Sequence, residues 1–214
     1  MGFLPEAFTN MLAMLGWNDG TAQELFTMDE LISRFSIERV HKGGAKFDFE
    51  KAKWFNHQYI QKADNAYLAK LALPFYQQAG LTPDNELLLQ VIPLIKERCT
   101  LLKDFPEQSA YFFKAPETID TTGVKEKWTS EKQAFFQTWM QALAEISHWD
   151  DATLEQHFND AAAAAGIKKG ELMLPLRVML VGGKFGAGVF HIAHIIGREQ
   201  TIARIGTALQ VLQP

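Results

Sequence analysis

Helical periodicity runs almost end to end through this sequence, cut into short pieces by caps, prolines and glycines. Pro5 sits at a first-turn position and opens PEAFTNMLAML, in which Phe8, Leu12 and Leu15 recur at helical spacing before Gly16. Thr27 and Glu30 spell a capping box for a short helix carrying Leu31, Ile32 and Phe35. HKGGAKFDF has no periodicity and reads as a loop. Asp48 then caps a helix on which Lys51, Trp54, Phe55, Gln58 and Tyr59 follow i, i+3, i+4 spacing. Trp54, Phe55 and Tyr59 share a face and are expected in the core. Residues 63–79 form a further amphipathic stretch ended by Gly80. Thr82-Pro83 starts a long helix, ELLLQVIPLIKERCTLLKDF, kinked by Pro93.

After PEQSAYFF and a loop around APETIDTTG, Ser130 and Gln133 make a second capping box, for a helix reaching about Ser147. Asp150 or Asp151 caps the next helix, whose alanine run stops at Gly166. LMLPLRVMLV is short and apolar enough for a buried strand. Its Leu, Met and Arg outnumber β-branched residues, however, and Pro175 does not suit a central strand, so a helix is expected. No strand–helix alternation and no internal repeat is visible. The fold class is all-α.

The chain has 214 residues, 47% of them hydrophobic and 21% charged, an ordinary balance for a globular protein. No apolar run is long enough for a membrane-spanning helix, and the N-terminus lacks the regions of a signal peptide. Met1-Gly2 is a poor myristoylation site with Phe3 and Pro5 so close. Cys99 stands alone, which excludes a disulfide framework, and a cytoplasmic location is expected. The net charge of -4 is an average over uneven segments. Residues 1–33 carry five acids and no Lys or Arg; residues 34–70 carry eight basic and four acidic residues. Residues 71–165 carry seven basic against fourteen acidic, and residues 166–214 six against two. Phosphate affinity follows local potential, so nucleic-acid binding stays open.

Signs of catalysis are weak. GGKFGAG at 182–188 has neither of the glycine spacings that cradle nucleotide phosphates and reads as a helix–helix connection. His191 and His194 share a helix face, but two ligands without a third do not specify a metal site. Asp150 and Asp151 lie where a helix cap belongs, and Cys99 reads as packing. No catalytic, cofactor or metal residue is assigned. A helical unit that binds RNA, or alternatively a protein-interaction module with an acidic 71–165 interface, fits these residues.

Four segments carry a resemblance. GFLPEAFTNMLAMLGW, TMDELISRFSIERVHKGGAKFDFEKAKWFNHQYI, KERCTLLKDFPEQSAYFF and KKGELMLPLRVMLVGGKFGAGVFHIAHIIGREQTIARI resemble, in this order, successive stretches of bacterial glutamyl-tRNA synthetases. The second contains the family's FD-x-x-K-x-x-W-x-N core, and the fourth its PLR and Gly-x-Phe pattern. The HIGH and KMSK-type motifs of the class I catalytic domain are absent from the sequence. The resemblance therefore implies the stem-contact and anticodon-binding portion of a glutamate–tRNA ligase, inactive alone, whose full-length form uses ATP with Mg. It further implies a stem-contact segment at 1–62, a first anticodon-binding subdomain at 63–110 and a second at 111–214, together an α-helix cage. The implied partner is tRNA(Glu), bound by a monomer, with no DNA and no membrane.

By the same resemblance Arg98 falls on the arginine that reads the first anticodon base, and Gly186, Ala187, Val189 and Phe190 fall on a stretch that surrounds the anticodon. Relatives carry Thr-Pro where this chain has Gly186-Ala187, so the threonine hydroxyl is missing. A guanidinium can hydrogen-bond two acceptors on one base edge, and Val189 with Phe190 is expected to give unstacked bases an apolar platform. Lys42, Lys46, Lys51 and Lys53 in the first basic segment are the candidates for tRNA phosphates.

Overall fold

The computed structural model describes residues 2–44 and 46–214; Met1, on which the myristoylation reading turns, lies outside them. Among the described residues there are ten α-helices, four short 3-10 turns and no strand, an all-α fold. None of these helices is long and apolar enough to cross a membrane. The chain divides into two compact units, residues 1–108 and 109–214.

Unit 1 holds α1 (Pro5–Gly16), α2 (Met28–Arg34), α3 (Phe49–Lys62), α4 (Asn65–Gln78) and α5 (Asn85–Ile95). The Thr27–Glu30 capping box is formed, and Asp48 accepts the Lys51 N–H at 3.0 Å as the cap of α3. α1 packs against α3, and α4 against α5. Two buried asparagines lock the unit where aliphatic residues would leave backbone groups unpaired. Asn56 of α3 accepts the Leu4 N–H at 2.7 Å and donates to the Thr100 carbonyl. Asn10 of α1 accepts the Phe26 N–H at 2.7 Å and donates to the Glu24 carbonyl at 2.9 Å.

Three expectations shift here. The long helix expected to start at Thr82-Pro83 and run to Phe105 ends at Ile95, two residues after Pro93, and continues as a 3-10 turn, Lys96–Arg98. α5 is capped by Asp84, so it starts after Thr82-Pro83 rather than on it. Trp54 lies on the outside of α3 with Phe55 fully buried, because the inward stripe is Ala52, Phe55, Asn56 and Ile60. Phe8, Leu12, Ile32 and Phe35 are likewise exposed, while Met11 and Leu31 turn inward.

The division between units falls within α6 (Asp104–Phe113). Unit 2 continues with α7 (Ser130–Ala142), α8 (Asp151–Ala164), α9 (Lys169–Val181) and α10 (Val189–Val211). Thr129, rather than Ser130, caps α7, accepting the Lys132 N–H, and Asp150 caps α8 through the Thr153 N–H at 2.8 Å. LMLPLRVMLV is helical, as expected. α10 packs against α7, α8 and α9. It is broken at Gly197, whose φ of 82° lies in the left-handed region that glycine adopts without strain. The core is aromatic: Phe136, Trp139 and Phe158 are at most 1% exposed and meet at tilted or edge-on angles.

Candidate nucleic-acid interface

In unit 1, Arg98 ends the 3-10 turn that follows α5. The backbone on either side of it is tied down. Gln61 donates to the Lys96 carbonyl at 2.8 Å, and His57 Nδ1 donates to the Cys99 carbonyl at 2.9 Å. One carboxylate oxygen of Asp104 accepts from the Thr100 N–H, the Thr100 hydroxyl and the Leu101 N–H, at 2.9, 2.9 and 2.8 Å. Cys99 is fully buried next door, and burial, with a smaller push from Asp104, moves its thiol up to about 12. It is packing, as its lone position suggested. The Arg98 side chain itself is exposed and forms no ion pair among the described residues, with Glu97, Glu86 or any other carboxylate. A fixed backbone bearing an unspent guanidinium is a favourable arrangement for reading a base edge, since little ordering entropy remains to be lost.

The four lysines of unit 1 are not equivalent. Lys51 is paired with Glu24 at 2.6 Å and lies 5.8 Å from the Phe55 ring. Lys53 is paired with Glu50 at 2.9 Å and lies 5.0 Å from the Phe49 ring. Their charge is partly answered within the unit. Lys42 and Lys46 are exposed and form no ion pair among the described residues. Lys46 and Lys51 line one pocket with Asp48 and Phe55.

In unit 2 the glycine-rich connection 182–188 joins α9 to α10. Gly182 ends α9 in the left-handed conformation, φ 81°, its N–H on the Val178 carbonyl at 2.8 Å. A Cβ there would come within 2.6 Å of both Pro116 Cβ and the Thr118 carbonyl oxygen, so position 182 admits only glycine. The Gly182 carbonyl accepts the Asp120 N–H at 2.9 Å, which pins the connection to the 115–123 loop. At its other end Arg177 of α9 donates to the carbonyls of Gly186 and Ala187 at 2.9 and 2.6 Å. The Ala187 N–H in turn donates to the Tyr111 hydroxyl at 2.9 Å. Arg204 of α10, 5% exposed, donates to the Tyr111 and Leu180 carbonyls at 2.7 and 2.9 Å. Desolvation pulls the Arg204 pKa below the ordinary guanidinium value.

The expected apolar platform is not at the surface. Val189 and Phe190 are 1% and 6% exposed; Phe190 sits edge-on to Phe158 at 5.5 Å, with the Lys169 ammonium 5.7 Å from its ring. Gly186 and Ala187 are buried too, and their carbonyls are already in use. The physical reason is the start of α10 at Val189, which aims both side chains into the aromatic core. The side chains that the connection shows solvent are those of Lys184 and Phe185, and the latter is 79% exposed. Sequence reasoning passed over Phe185, although a large aromatic among four glycines is itself a signal of a loop tip. Arg177 and Arg204 were also missed, because their roles depend on carbonyls that only the fold brings near.

His191 meets Asp151 at 3.3 Å, and His194 Nδ1 donates to the Trp149 carbonyl at 2.8 Å. No group of three or more His, Cys, Asp or Glu side chains among the described residues is placed to hold a metal.

Over 211 residues the chain is 40% identical to the glutamate–tRNA ligase of Flavobacterium johnsoniae, and over 224 residues 41% identical to that of Porphyromonas gingivalis. Each match covers 99% of this chain and 42% of the relative, so the chain spans about two fifths of the length of the curated relatives it matches. The crystal structure of a glutamate tRNA ligase from Elizabethkingia meningosepticum, in complex with its amino acid, superposes with a TM-score of 0.90 at 37% identity. That likeness covers 99% of this chain and 42% of the solved one. A second solved relative, the glutamate-tRNA synthetase of Elizabethkingia anophelis, gives 0.86 at 36%. Residues 67–209 match the model of the anticodon binding domain, and by that match the chain belongs to the anticodon binding domain family, in the form shared with glutamate–tRNA ligases.

Proposed function

We propose that this chain is the tRNA-reading, C-terminal portion of a glutamate–tRNA ligase and binds tRNA(Glu) through its anticodon and stem. The observation that carries this reading is Arg98: an exposed guanidinium with no ion pair among the described residues, on a clamped turn within the region that matches the anticodon binding domain. In this reading Arg98 hydrogen-bonds the edge of the first anticodon base. The connection that bears Gly186, Ala187, Val189 and Phe190 frames the anticodon, the last two from beneath it. Residues 1–62 contact the stem, with Lys42 and Lys46 on phosphates and Lys51 and Lys53 in lesser roles, while 63–110 and 111–214 are two anticodon-binding subdomains. ATP, with Mg, serves the ligation step in the portion of the relatives outside the match, and this chain alone is inactive. It acts as a monomer in the cytoplasm.

A gel-shift titration of the chain with tRNA(Glu) over a range of salt concentrations tests the reading. Affinity is expected to fall steeply as salt rises, because phosphate contacts release counterions. Arg98→Ala should cost ~1–3 kcal/mol against the cognate anticodon and less against a tRNA differing in its first anticodon base. No binding at low salt, or binding indifferent to salt, would refute the proposal.

A further inference from the structure

We propose that Phe185 is a stacking platform for one unpaired RNA base, held out from unit 2 by the clamped connection between α9 and α10. The inference rests on the RNA-reading function proposed above and adds to it a contact that the arrangement of Val189 and Phe190 does not provide.

Three observations carry it. Phe185 is the most exposed large hydrophobic side chain among the described residues, and its ring meets no other ring there. Left on a loose loop, such a ring would fold down onto nearby apolar surface. Here the chain is fixed on both sides of it. Gly182 is wedged against Pro116 and the Thr118 carbonyl on one side; Arg177 and Tyr111 grip Gly186 and Ala187 on the other. Only Gly183, Lys184 and Phe185 span the gap between the fixed points. Gly182, Gly183, Gly186 and Gly188 add no side chains around the ring.

The surroundings favour a base over a protein partner. The other large hydrophobic exposed in unit 2, among the described residues, is Val211, far along α10. A protein interface needs roughly 800 Å² per partner built around clustered anchors, and one ring on a stalk offers neither. A nucleobase needs only a flat face, since stacking is tolerant of sequence and of polar surroundings. The charge agrees. Lys184 is adjacent and lies along Gly123 close enough to lower the Asp120 pKa, after the larger effects of Thr122, and the segment 166–214 carries six basic against two acidic residues. A base on Phe185 would set its phosphate near positive charge.

The test uses the whole chain and an anticodon stem–loop RNA in which 2-aminopurine replaces each loop base in turn. Wild type is expected to quench one position strongly through stacking. Phe185→Ala and Phe185→Leu should lose that quench and weaken binding about tenfold, while Phe185→Tyr, which keeps a flat ring, should retain both. Melting temperatures of the variants should match wild type, because the ring is 79% exposed. If wild type binds no RNA, the function proposed above falls and takes this inference with it. If wild type binds and Phe185→Ala shows the same affinity and the same quench profile, the inference alone is overturned and the ring belongs to some other contact.

Discussion

In unit 1 an arginine is the group being held. The turn under Arg98 is secured by Gln61, His57, Asn56 and Asp104, and its guanidinium is left in solvent. In unit 2 the arginines do the holding: Arg177 and Arg204 each donate to two backbone carbonyls, and what reaches solvent is the apolar ring of Phe185. One unit offers hydrogen-bond donors from a polar clamp; the other offers a flat ring from a charged one. The difference teaches that the presence of an arginine in a binding segment says little until the destination of its donors is known. It also divides the expected effects of mutation, since a holder should cost stability and a presented group should cost binding.

The largest expected effect is at Arg204. Arg204→Ala removes the donor shared by the Tyr111 and Leu180 carbonyls and leaves both without it in a buried setting. A hydrogen bond from a charged donor contributes ~1.5–3 kcal/mol, and a buried unpaired group costs a similar amount. Unit 2 should lose about 3 kcal/mol, read as a lower urea midpoint at unchanged slope. A midpoint within error of wild type would end the assignment of Arg204 as a holder.

Next comes Asp104, the equivalent holder in unit 1. Asp104→Ala strips three donors of their acceptor and should cost about 2 kcal/mol. Because the turn under Arg98 is then loosened, tRNA affinity should fall as well, although Asp104 itself is not assigned to RNA. Stability lost with affinity intact would separate the clamp from the reading of the base.

A smaller effect is expected from alkali in unit 1. Burial moves the Cys99 thiol and the Tyr59 phenol up to about 12. Tyr67 is also moved up to about 12, chiefly by its hydrogen bond to the Glu6 carboxylate. Raised values mean that the folded state keeps protons the unfolded chain gives up. The stabilisation is therefore complete below the unfolded values, near 9 and 10, and is lost as pH rises toward 12. Melting temperature should fall between about pH 9 and pH 12, with ultraviolet absorbance reporting tyrosine ionisation alongside unfolding. A flat profile across that range would show these groups to be more open to water than their packing implies.

Much of the fold was legible because helix punctuation is local. The Thr27–Glu30 box, the Asp48 and Asp150 caps and the helical nature of LMLPLRVMLV depend on residues within a turn or two of each other. Which stripe of a helix faces inward is not local. On α3, Trp54 and Phe55 are adjacent large aromatics, yet the buried stripe is the one that holds Asn56, which reaches Leu4 and Thr100, far away in sequence. Pro93 marked the irregularity in α5 but not the 3-10 turn that carries Arg98. At the candidate site, the ordered resemblance led to Arg98 and to the α9–α10 connection. It does not tell buried from exposed within that connection, where Phe190 is buried and Phe185 stands in solvent. Burial there is decided by where α10 begins, and a single residue of offset exchanges the roles of neighbouring side chains.

The smallest expected effect is the sharpest complement to the first. Arg98→Ala should leave the melting temperature and urea midpoint of unit 1 within about 0.5 kcal/mol of wild type, as for exposed substitutions that break no packing or buried bond. Every contact that secures the turn is made by the backbone of neighbouring residues or by other side chains, and the guanidinium forms no ion pair among the described residues. The same variant is expected to bind tRNA(Glu) more weakly, so stability and affinity should come apart at this position and move together at Asp104. If Arg98→Ala instead destabilised unit 1 by an amount comparable to Asp104→Ala, its guanidinium would be a holder like those of Arg177 and Arg204. The contrast between the two units would then be gone, and any loss of tRNA affinity in that variant would say nothing about whether Arg98 reads a base.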